Sequence, residues 1–275
     1  MKKFITDIHT HSTYSFDGIS SLKDILARAQ SMGVDFYGVS EHADYDVFYR
    51  HGTSLHALLD EEEYFHGARH LQEDYEGVMN VLIGIECGYG QDPRVTASNS
   101  ALIEKYKPDF VVNSVHTING EDYYDGAIYY KNGVLRDKQE VYNEYLDMIY
   151  ESLFCAYPYD IVAHIGYATR YAPYADKEMR YVDFVERIDK ILRTIIAKGK
   201  ILEVNASRAL AGLLPTEDIL RRYFALGGRN ISYGSDTHGV DGICKARAEI
   251  TAYLRGLGFT HITVPCRGEY IKVEL

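Results

Sequence analysis

The sequence predicts an α/β protein, a distorted (β/α)7 barrel of the TIM-like type. Seven short apolar runs alternate with segments of helical period along the 275 residues. Runs that are continuously apolar indicate parallel strands buried on both faces of a sheet. Seven such units are many for a small open sheet, so we expect a closed or nearly closed barrel. An open, doubly wound sheet is the alternative.

Each predicted strand is a run of three to six residues, most of them apolar. In chain order, the seven runs are Phe4–Asp7, Phe36–Ser40, Val81–Glu86, Phe110–Val115, Ile161–Ala163, Ile201–Asn205 and Ile231–Ser235. The first predicted helix begins at the capping box Ser21-Leu22-Lys23-Asp24 and ends before Gly33. Three later apolar stripes predict helices at Val141–Ile149, Phe184–Ile195 and Thr216–Leu226. The acidic run Asp60–Glu63 is interpreted as a solvated helix face.

Composition favours one domain that spans residues 1–275. Apolar residues make up 46% of the chain and charged residues 25%, as in ordinary globular proteins.

The formal net charge of −11 disfavours nucleic acid and anionic membranes as partners, and no stretch approaches the length of a membrane span. The four cysteines are scattered without a C-x-x-C pair, which indicates free thiols in a cytoplasmic protein. The sequence leaves the oligomeric state open.

Histidines and carboxylates follow the predicted strands at their carboxyl ends, where barrel enzymes build their active sites. His9 and His11 follow the first strand, and Asp236 and His238 follow the seventh. Residues two apart on an extended chain point to the same face, so each pair can meet one ion. Including one residue of the first loop, the candidate ligands are His9, His11, Asp17, His42, Glu86, His116, His164, Asp236 and His238.

This pattern predicts a metal centre. A lone histidine at one strand end is as often a core or surface residue as a ligand, but random placement of eleven histidines would rarely put six at strand ends. Nitrogen and oxygen donors without thiolate suit Zn²⁺, Mn²⁺ or Fe²⁺. A catalytic zinc takes about three protein ligands, so nine candidates indicate two or three ions. The other histidines, interpreted as loop or helix residues without this role, are His51, His56, His66, His70 and His261.

Charge at such a centre favours an anionic substrate. Two or three divalent ions bring more positive charge than the carboxylates Asp17, Glu86 and Asp236 remove. The loaded site would therefore attract an anion within an acidic protein, and phosphate is the obvious one. A bound ion also lowers the pKa of its water to roughly 7, which supplies a nucleophile without a nucleophilic side chain.

Six short motifs together resemble those of the polymerase-and-histidinol-phosphatase (PHP) superfamily, in order and over most of the chain. They are Asp7-Ile8-His9-Thr10-His11-Ser12, Ser40-Glu41-His42, Gly84-Ile85-Glu86, Ser114-Val115-His116, Ala163-His164 and Gly234-Ser235-Asp236-Thr237-His238. The stretches around the third to sixth strands look most like the histidinol-phosphatase branch. The resemblance implies the PHP fold, a trinuclear metal site, and hydrolysis of L-histidinol phosphate to L-histidinol and phosphate in histidine biosynthesis.

The resemblance also implies a role for each ligand. His9, His11, Glu86 and Asp236 would hold the first ion. Glu86 would bridge to a second ion, which His116 and His164 also hold, and Asp17, His42 and His238 would hold the third. Glu86, Asp236 and His238 are assigned as catalytic, around a hydroxide that bridges the ions and attacks the phosphate.

Two arginines are the candidates for binding the phosphate. Arg170 and Arg208 follow the fifth and sixth strands, and a guanidinium group offers a bidentate fork to phosphate oxygens. Relatives often carry a Gly-Leu-Arg-like run after the sixth strand, whereas this chain reads Ala206-Ser207-Arg208. Glu203 and Asn205 either orient ligands or cap the barrel interior, and the sequence leaves both interpretations open.

Two other functions compete with this prediction. One is a phosphoesterase of the same superfamily that acts on another small phosphomonoester, a nucleotide or a phosphotyrosyl protein. The other is a non-catalytic metal-binding or regulatory protein with a vestigial barrel. The complete ligand set disfavours the latter, because a protein without catalysis has no reason to keep nine ligands.

Overall fold

Seven parallel strands form the central sheet of the computed structural model, which describes residues 5–52 and 58–275. In chain order they are β1 (Thr6–Asp7), β2 (Phe36–Ala43), β3 (Asn80–Gly88), β4 (Phe110–Ser114), β5 (Ile161–Val162), β6 (Ile201–Asn205) and β7 (Ile231–Gly234). Their order in the sheet is their order in the chain. All seven predicted strands are confirmed within a few residues, although Phe4 lies outside the described residues.

The sheet closes between the segments that follow β1 and β7. Asp236 N donates a hydrogen bond to His9 O over 2.8 Å, and His11 N donates to Thr237 O over 2.8 Å. These bonds join the first strand to the last, so the predicted distorted (β/α)7 barrel is confirmed and the open sheet is not. They also set the two i, i+2 ligand pairs side by side at the carboxyl end of the barrel.

Eight α-helices in the described part of the chain connect or flank the strands. They are α1 (Leu22–Ser31), α2 (Tyr45–His51), α3 (Glu61–Asp74), α4 (Pro93–Tyr106), α5 (Lys138–Ser152), α6 (Val185–Ala197), α7 (Glu217–Ala225) and α8 (Arg247–Leu257). Ser21 caps α1 by accepting a hydrogen bond from Asp24 N over 3.1 Å. The four predicted apolar stripes lie on α1, α5, α6 and α7. Helices α4 and α8, for which no apolar stripe was predicted, bury only three of 14 and two of 11 residues.

The longest excursion from the barrel lies between β4 and α5. It contains two short antiparallel strand pairs, Thr117–Ile118 with Glu121–Asp122 and Tyr130–Lys131 with Val134–Leu135. After α8 the chain ends in an antiparallel hairpin of β8 (His261–Cys266) and β9 (Glu269–Glu274). Among the described residues, no helix has both the length and the apolar character needed to cross a membrane.

Five histidines were predicted to lie apart from the metal centre. His51 lies in α2 near Glu121, and His66 and His70 lie on α3. His261 begins β8 and is exposed. His56 lies outside the described residues.

A buried carboxylate, Asp109, connects several elements at the amino end of the barrel through hydrogen bonds. It accepts hydrogen bonds from Arg69 Nη1 and Gln72 Nε2, each over 2.8 Å, and from Ile83 N over 2.8 Å. Arg267, in the turn between β8 and β9, donates to it over 2.9 Å. Asp109 therefore joins α3, β3 and the C-terminal hairpin at one point.

We expect Asp109→Ala to lower the free energy of unfolding by about 3–5 kcal/mol, because it leaves buried donors without an acceptor. Arg69 and the backbone hydrogen bond to Ile83 hold the pKa of Asp109 below its usual value although burial raises it. Its contribution to stability is therefore present above the pKa of an unfolded aspartate and lost as the pH falls through the lower folded pKa. Denaturant unfolding as a function of pH measures both effects. Asp74→Ala, an exposed aspartate at the end of α3, is the control, and an equal loss in both variants would contradict the assignment.

Candidate metal centre

The nine predicted ligands all lie at the carboxyl end of the barrel, and eight of them fall into overlapping groups. In each group the ligand atoms lie within 4.8 Å of one another. The groups are His9/Glu86/His164, His9/His11/Asp236, His42/Glu86/His116 and His11/His42/His238. The ninth, Asp17, places Oδ2 3.1 Å from His238 Nε2.

Glu86, near the end of β3, lies at the middle of this arrangement. Its Oε2 is 3.3 Å from His9 Nε2 and 2.9 Å from His42 Nδ1. Its Oε1 is 2.9 Å from His164 Nε2 and 3.2 Å from His116 Nε2. The two oxygens of one buried carboxylate thus face two separate sets of imidazoles, which is the geometry a bridging ligand requires.

Asp236 is the second carboxylate that faces His9 and His11. Its Oδ1 is 3.4 Å from His11 Nε2 and 3.8 Å from His9 Nε2, and its Oδ2 accepts a hydrogen bond from Arg170 over 3.0 Å. Its backbone adopts a φ of +51° and that of His164 a φ of +21°. Such conformations are uncommon for residues other than glycine and gather at functional sites, where the surrounding structure holds them.

Asp17, His42 and His238 form the most open part of the centre. The Nε2 atoms of His42 and His238 are 3.4 Å apart, and Asp17 is 40% exposed. The ring of His11 stacks against both imidazoles, with its centre 4.2 Å from that of His42 and 4.3 Å from that of His238.

Unpartnered buried atoms test whether these residues fit metal ions. Among the described residues, His9 Nε2 and His11 Nε2 are buried without a hydrogen-bond partner, and His42 Nδ1 and Glu86 Oε2 lie 2.9 Å apart without the geometry of a hydrogen bond. Buried polar atoms are normally paired, and imidazole nitrogens with a carboxylate oxygen are donors that Zn²⁺, Mn²⁺ and Fe²⁺ accept. The residues present therefore fit divalent ions.

The pKa values separate ligands that are ready to bind a metal ion from ligands that must first lose a proton. Burial lowers the pKa values of His9, His42 and His116, but neighbouring carboxylates raise them more, that of His42 to about 9, so a divalent ion must displace a proton from each of these three imidazoles. Burial, together with the neighbouring His42 and His238, lowers the pKa of His11 to about 3, which keeps its imidazole neutral. Burial raises the pKa of Glu86, but the imidazoles of His9 and His116 lower it more, so that the carboxyl group stays ionised. Neutral histidine and ionised carboxylate are the forms that bind metal ions.

Two carboxylates lie beside the Nδ1 nitrogens of His9 and His116. Glu203, on β6, places Oε1 2.6 Å from His9 Nδ1, and its Oε2 accepts a hydrogen bond from His164 N over 2.6 Å. Asp44 lies 2.9 Å from His116 Nδ1. A carboxylate at Nδ1 fixes the imidazole tautomer, so that Nε2 is free for a metal ion.

The sequence analysis missed Asp44 and left Glu203 open. Asp44 lies two residues after His42, the same i, i+2 spacing that marked the pairs after β1 and β7. That spacing was the available signal. For Glu203, the contacts with His9 and His164 decide in favour of orienting ligands, and the neighbouring Asn205 acts similarly by donating a hydrogen bond to Asp236 over 3.2 Å.

A cavity of about 320 Å³ opens above the ligand cluster. It is lined by Phe16, Asp17, His42, Asp44, His116, Asp122, Tyr124, Asp125, His164, Tyr167, Arg170, Tyr171, Asp236 and His238. Its size is at the lower end of the range for small-molecule sites.

The two predicted arginines differ in their position. Arg170 lies on the cavity wall, with its side chain 9% exposed, and donates to Asn205 Oδ1 over 2.7 Å and to Ser207 Oγ over 2.6 Å. Arg208 is exposed and lies in a neighbouring cavity. Its guanidinium carbon is 5.8 Å from the ring centre of Tyr171, which lines the first cavity.

Comparison with known proteins gives a consistent result. The PHP domain family model matches residues 7–207. The histidinol-phosphatase of Lactococcus lactis is 31% identical over 86% of this chain and 85% of that protein, and a probable histidinol-phosphatase of Clostridium acetobutylicum is 29% identical over 87% and 88%. The crystal structure of the Lactococcus lactis histidinol phosphate phosphatase with zinc, L-histidinol and phosphate superposes with a TM-score of 0.81 at 28% identity, covering 98% of this chain and 99% of that one.

We expect Glu203→Gln to weaken divalent-ion binding by about 10–100-fold, because the neutral amide no longer fixes the tautomer of His9. Zinc content after equilibration in zinc-buffered solutions measures the change, and far-UV circular dichroism shows whether the barrel is intact. Glu186→Gln, an exposed glutamate of α6, is the matched control. Equal zinc affinity in the Glu203 variant and the native protein would contradict this role.

Proposed function

The chain belongs to the PHP family and to its histidinol-phosphatase branch, and we propose that it hydrolyses L-histidinol phosphate to L-histidinol and phosphate. One observation of this structure carries the proposal: four overlapping groups of histidine and carboxylate ligands meet at the base of a small cavity that also contains a buried arginine. Metal ions and a guanidinium group on one cavity are the usual means of stabilising a transferring phosphoryl group. The ligands of the Lactococcus lactis structure support the choice of substrate.

We propose two or three divalent ions, Zn²⁺, Mn²⁺ or Fe²⁺, as the cofactor. The first would be held by His9, His11, Glu86 and Asp236, the second by Glu86, His116 and His164, and the third by Asp17, His42 and His238. Ions in these places supply Lewis-acid chemistry and lower the pKa of a coordinated water. Glu86, Asp236 and His238 are the catalytic residues of the proposal, since each would touch an ion and the latter two also line the cavity.

The chain's own residues position the substrate and hold the ligands in their tautomers. The guanidinium group of Arg170 donates a hydrogen bond to Asp236, so it lies next to the place where a phosphate on the ligand cluster would sit. A bidentate contact from this group would fix the orientation of that phosphate. Glu203 and Asp44 accept hydrogen bonds from Nδ1 of His9 and of His116, which leaves the Nε2 atoms facing the ligand cluster. Tyr167 packs against both His116 and His164 and excludes water from that side.

A panel of phosphate esters tests the proposed activity. Chelation should abolish hydrolysis, and Zn²⁺, Mn²⁺ or Fe²⁺ should restore it, because no side chain replaces the ions. We expect kcat/KM for L-histidinol phosphate to exceed that for p-nitrophenyl phosphate, a nucleoside monophosphate and phosphotyrosine by at least about tenfold. His11→Ala protein, purified in the same way, controls for contaminating phosphatases and should lose activity by orders of magnitude. A higher kcat/KM for another ester would identify that ester, instead of L-histidinol phosphate, as the substrate. Less than one metal ion per active chain would contradict the multinuclear centre.

Arg208→Ala tests the second proposed phosphate contact. Loss of one charge-assisted hydrogen bond should lower kcat/KM by about 10–200-fold with metal content unchanged. Arg208→Lys should recover only part of this loss, because a point charge does not reproduce the fork. Arg193→Ala, an exposed arginine of α6, is the control. A change of less than about threefold would show that Arg208 does not bind the phosphate. An Arg170 variant is a less direct test of phosphate binding, since Arg170 also holds Asp236.

A further inference from the structure

The lining of the cavity includes two carboxylates that the proposed metal centre does not use. Asp17 and Asp236 belong to the ligand set and Asp44 holds His116. Asp122 and Asp125 also line the cavity but belong to none of the ligand groups found among the described residues. Both come from the excursion between β4 and α5.

This segment is fixed relative to the metal centre. Tyr123, between the two aspartates, is fully buried and donates its backbone N–H to His116 O over 3.2 Å. Its ring packs edge-on against Tyr145 of α5, with the ring centres 5.5 Å apart. Asp122 is buried, and its Oδ1 accepts a hydrogen bond from Tyr124 N over 2.7 Å. The segment, and with it the carboxylate of Asp122, therefore holds a defined place beside the ligand cluster.

Asp125 is the more accessible of the two carboxylates. Its side chain is exposed, and within residues 5–52 and 58–275 no hydrogen bond or ion pair engages it. An exposed carboxylate on the wall of a cavity is available to a ligand without breaking an existing contact.

Charge indicates what kind of ligand the two aspartates suit. A phosphate monoester brings a dianion into the cavity, and two extra carboxylates there repel it at a cost that grows as water is excluded. The same two carboxylates attract the substrate if its other end is a cation. Nucleotides and phosphotyrosyl peptides lack such a group close to the phosphate, whereas an amino-alcohol phosphate carries an ammonium group a few bonds away.

Aromatic side chains complete this part of the wall. Tyr124 and Tyr171 lie edge-to-face with their ring centres 5.1 Å apart, and Tyr124 is 65% exposed. The face of an aromatic ring attracts a cation and also stacks on a planar heterocycle. The same wall therefore offers contacts to both an ammonium group and an imidazole ring.

We propose that Asp122, Asp125 and the rings of Tyr124 and Tyr171 form a subsite that binds the cationic end of an amino-alcohol phosphate and selects such substrates over neutral or anionic phosphate esters. The proposal rests on the proposed function and adds the residues that distinguish the alcohol. The ions and arginines bind phosphate in any ester, so selectivity depends on this second subsite.

Asp125→Asn in the full-length, metal-loaded protein tests the subsite, because it removes one charge from an exposed position without changing size. The ratio of kcat/KM for L-histidinol phosphate to that for p-nitrophenyl phosphate should fall at least about tenfold, mostly through KM. Binding of L-histidinol in the presence of phosphate, measured by calorimetry, should weaken by a similar factor. Asp241→Asn is the control, since this exposed aspartate follows β7 at the same end of the barrel but does not line the cavity.

The outcomes separate this proposal from the proposed function. If the native protein shows no preference for L-histidinol phosphate, the proposed function fails whatever the variant does. If the native protein has that preference and Asp125→Asn keeps both the ratio and the affinity for L-histidinol, the subsite is wrong. A loss of the same size with both esters also overturns it, because that result places Asp125 at the phosphate, and an equal fall of the ratio in Asp241→Asn assigns the effect to overall charge.

Discussion

The position of Glu86 is the constraint on which the rest of the site depends. One fully buried carboxylate faces imidazoles that are carried by β2, by the segment after β1, and by the segments after β4 and β5. A buried carboxylate is costly unless positive charge compensates it, and the imidazoles supply that charge only while they are protonated and therefore unable to bind a metal ion. Divalent ions between them would satisfy the carboxylate and the imidazoles together, so that metal binding and a stable barrel mouth become one requirement.

The barrel meets this requirement because its strands lie in the sheet in the order of the chain. Each strand ends at the same rim, and every strand except β6 contributes at least one candidate ligand there, so ligands far apart in sequence need no long loops to meet. The closing hydrogen bonds of His9 and His11 with the segment after β7 bring the first and last contributions together. The carboxylates of Asp44 and Glu203, which lie behind the ligands, then fix which nitrogen His116 and His9 present to the centre.

The strands, and the meeting of the nine candidate ligands at one rim, could be predicted from the sequence for one physical reason: both follow local patterns. Continuous apolar runs mark buried parallel strands, and donors directly after those runs must lie at one rim. Asp44 obeys the same spacing but was missed, because a carboxylate after a strand is also a common helix cap, and it does precede α2. Asp125 and the exposure of Arg208 could not be predicted, since both depend on how an irregular excursion and a surface loop fold over the cavity, for which sequence periodicity contains no signal.

The chain has 25 tyrosines and no tryptophan, and several of the tyrosines meet where the loop after β5 contacts the excursion after β4. Tyr145 Oη accepts hydrogen bonds from the backbone of Gly166 and Tyr167 in that loop. The ring of Tyr167 lies 5.2 Å from that of His116 and 5.1 Å from that of His164. The intrinsic fluorescence of this protein therefore comes from phenol rings alone, and one of these rings borders the imidazoles. Paramagnetic ions such as Mn²⁺ or Fe²⁺ bound beside Tyr167 would quench the emission of that ring, whereas Zn²⁺, with its closed d shell, would not. The part of the emission that comes from Tyr167 therefore depends on which metal the centre holds.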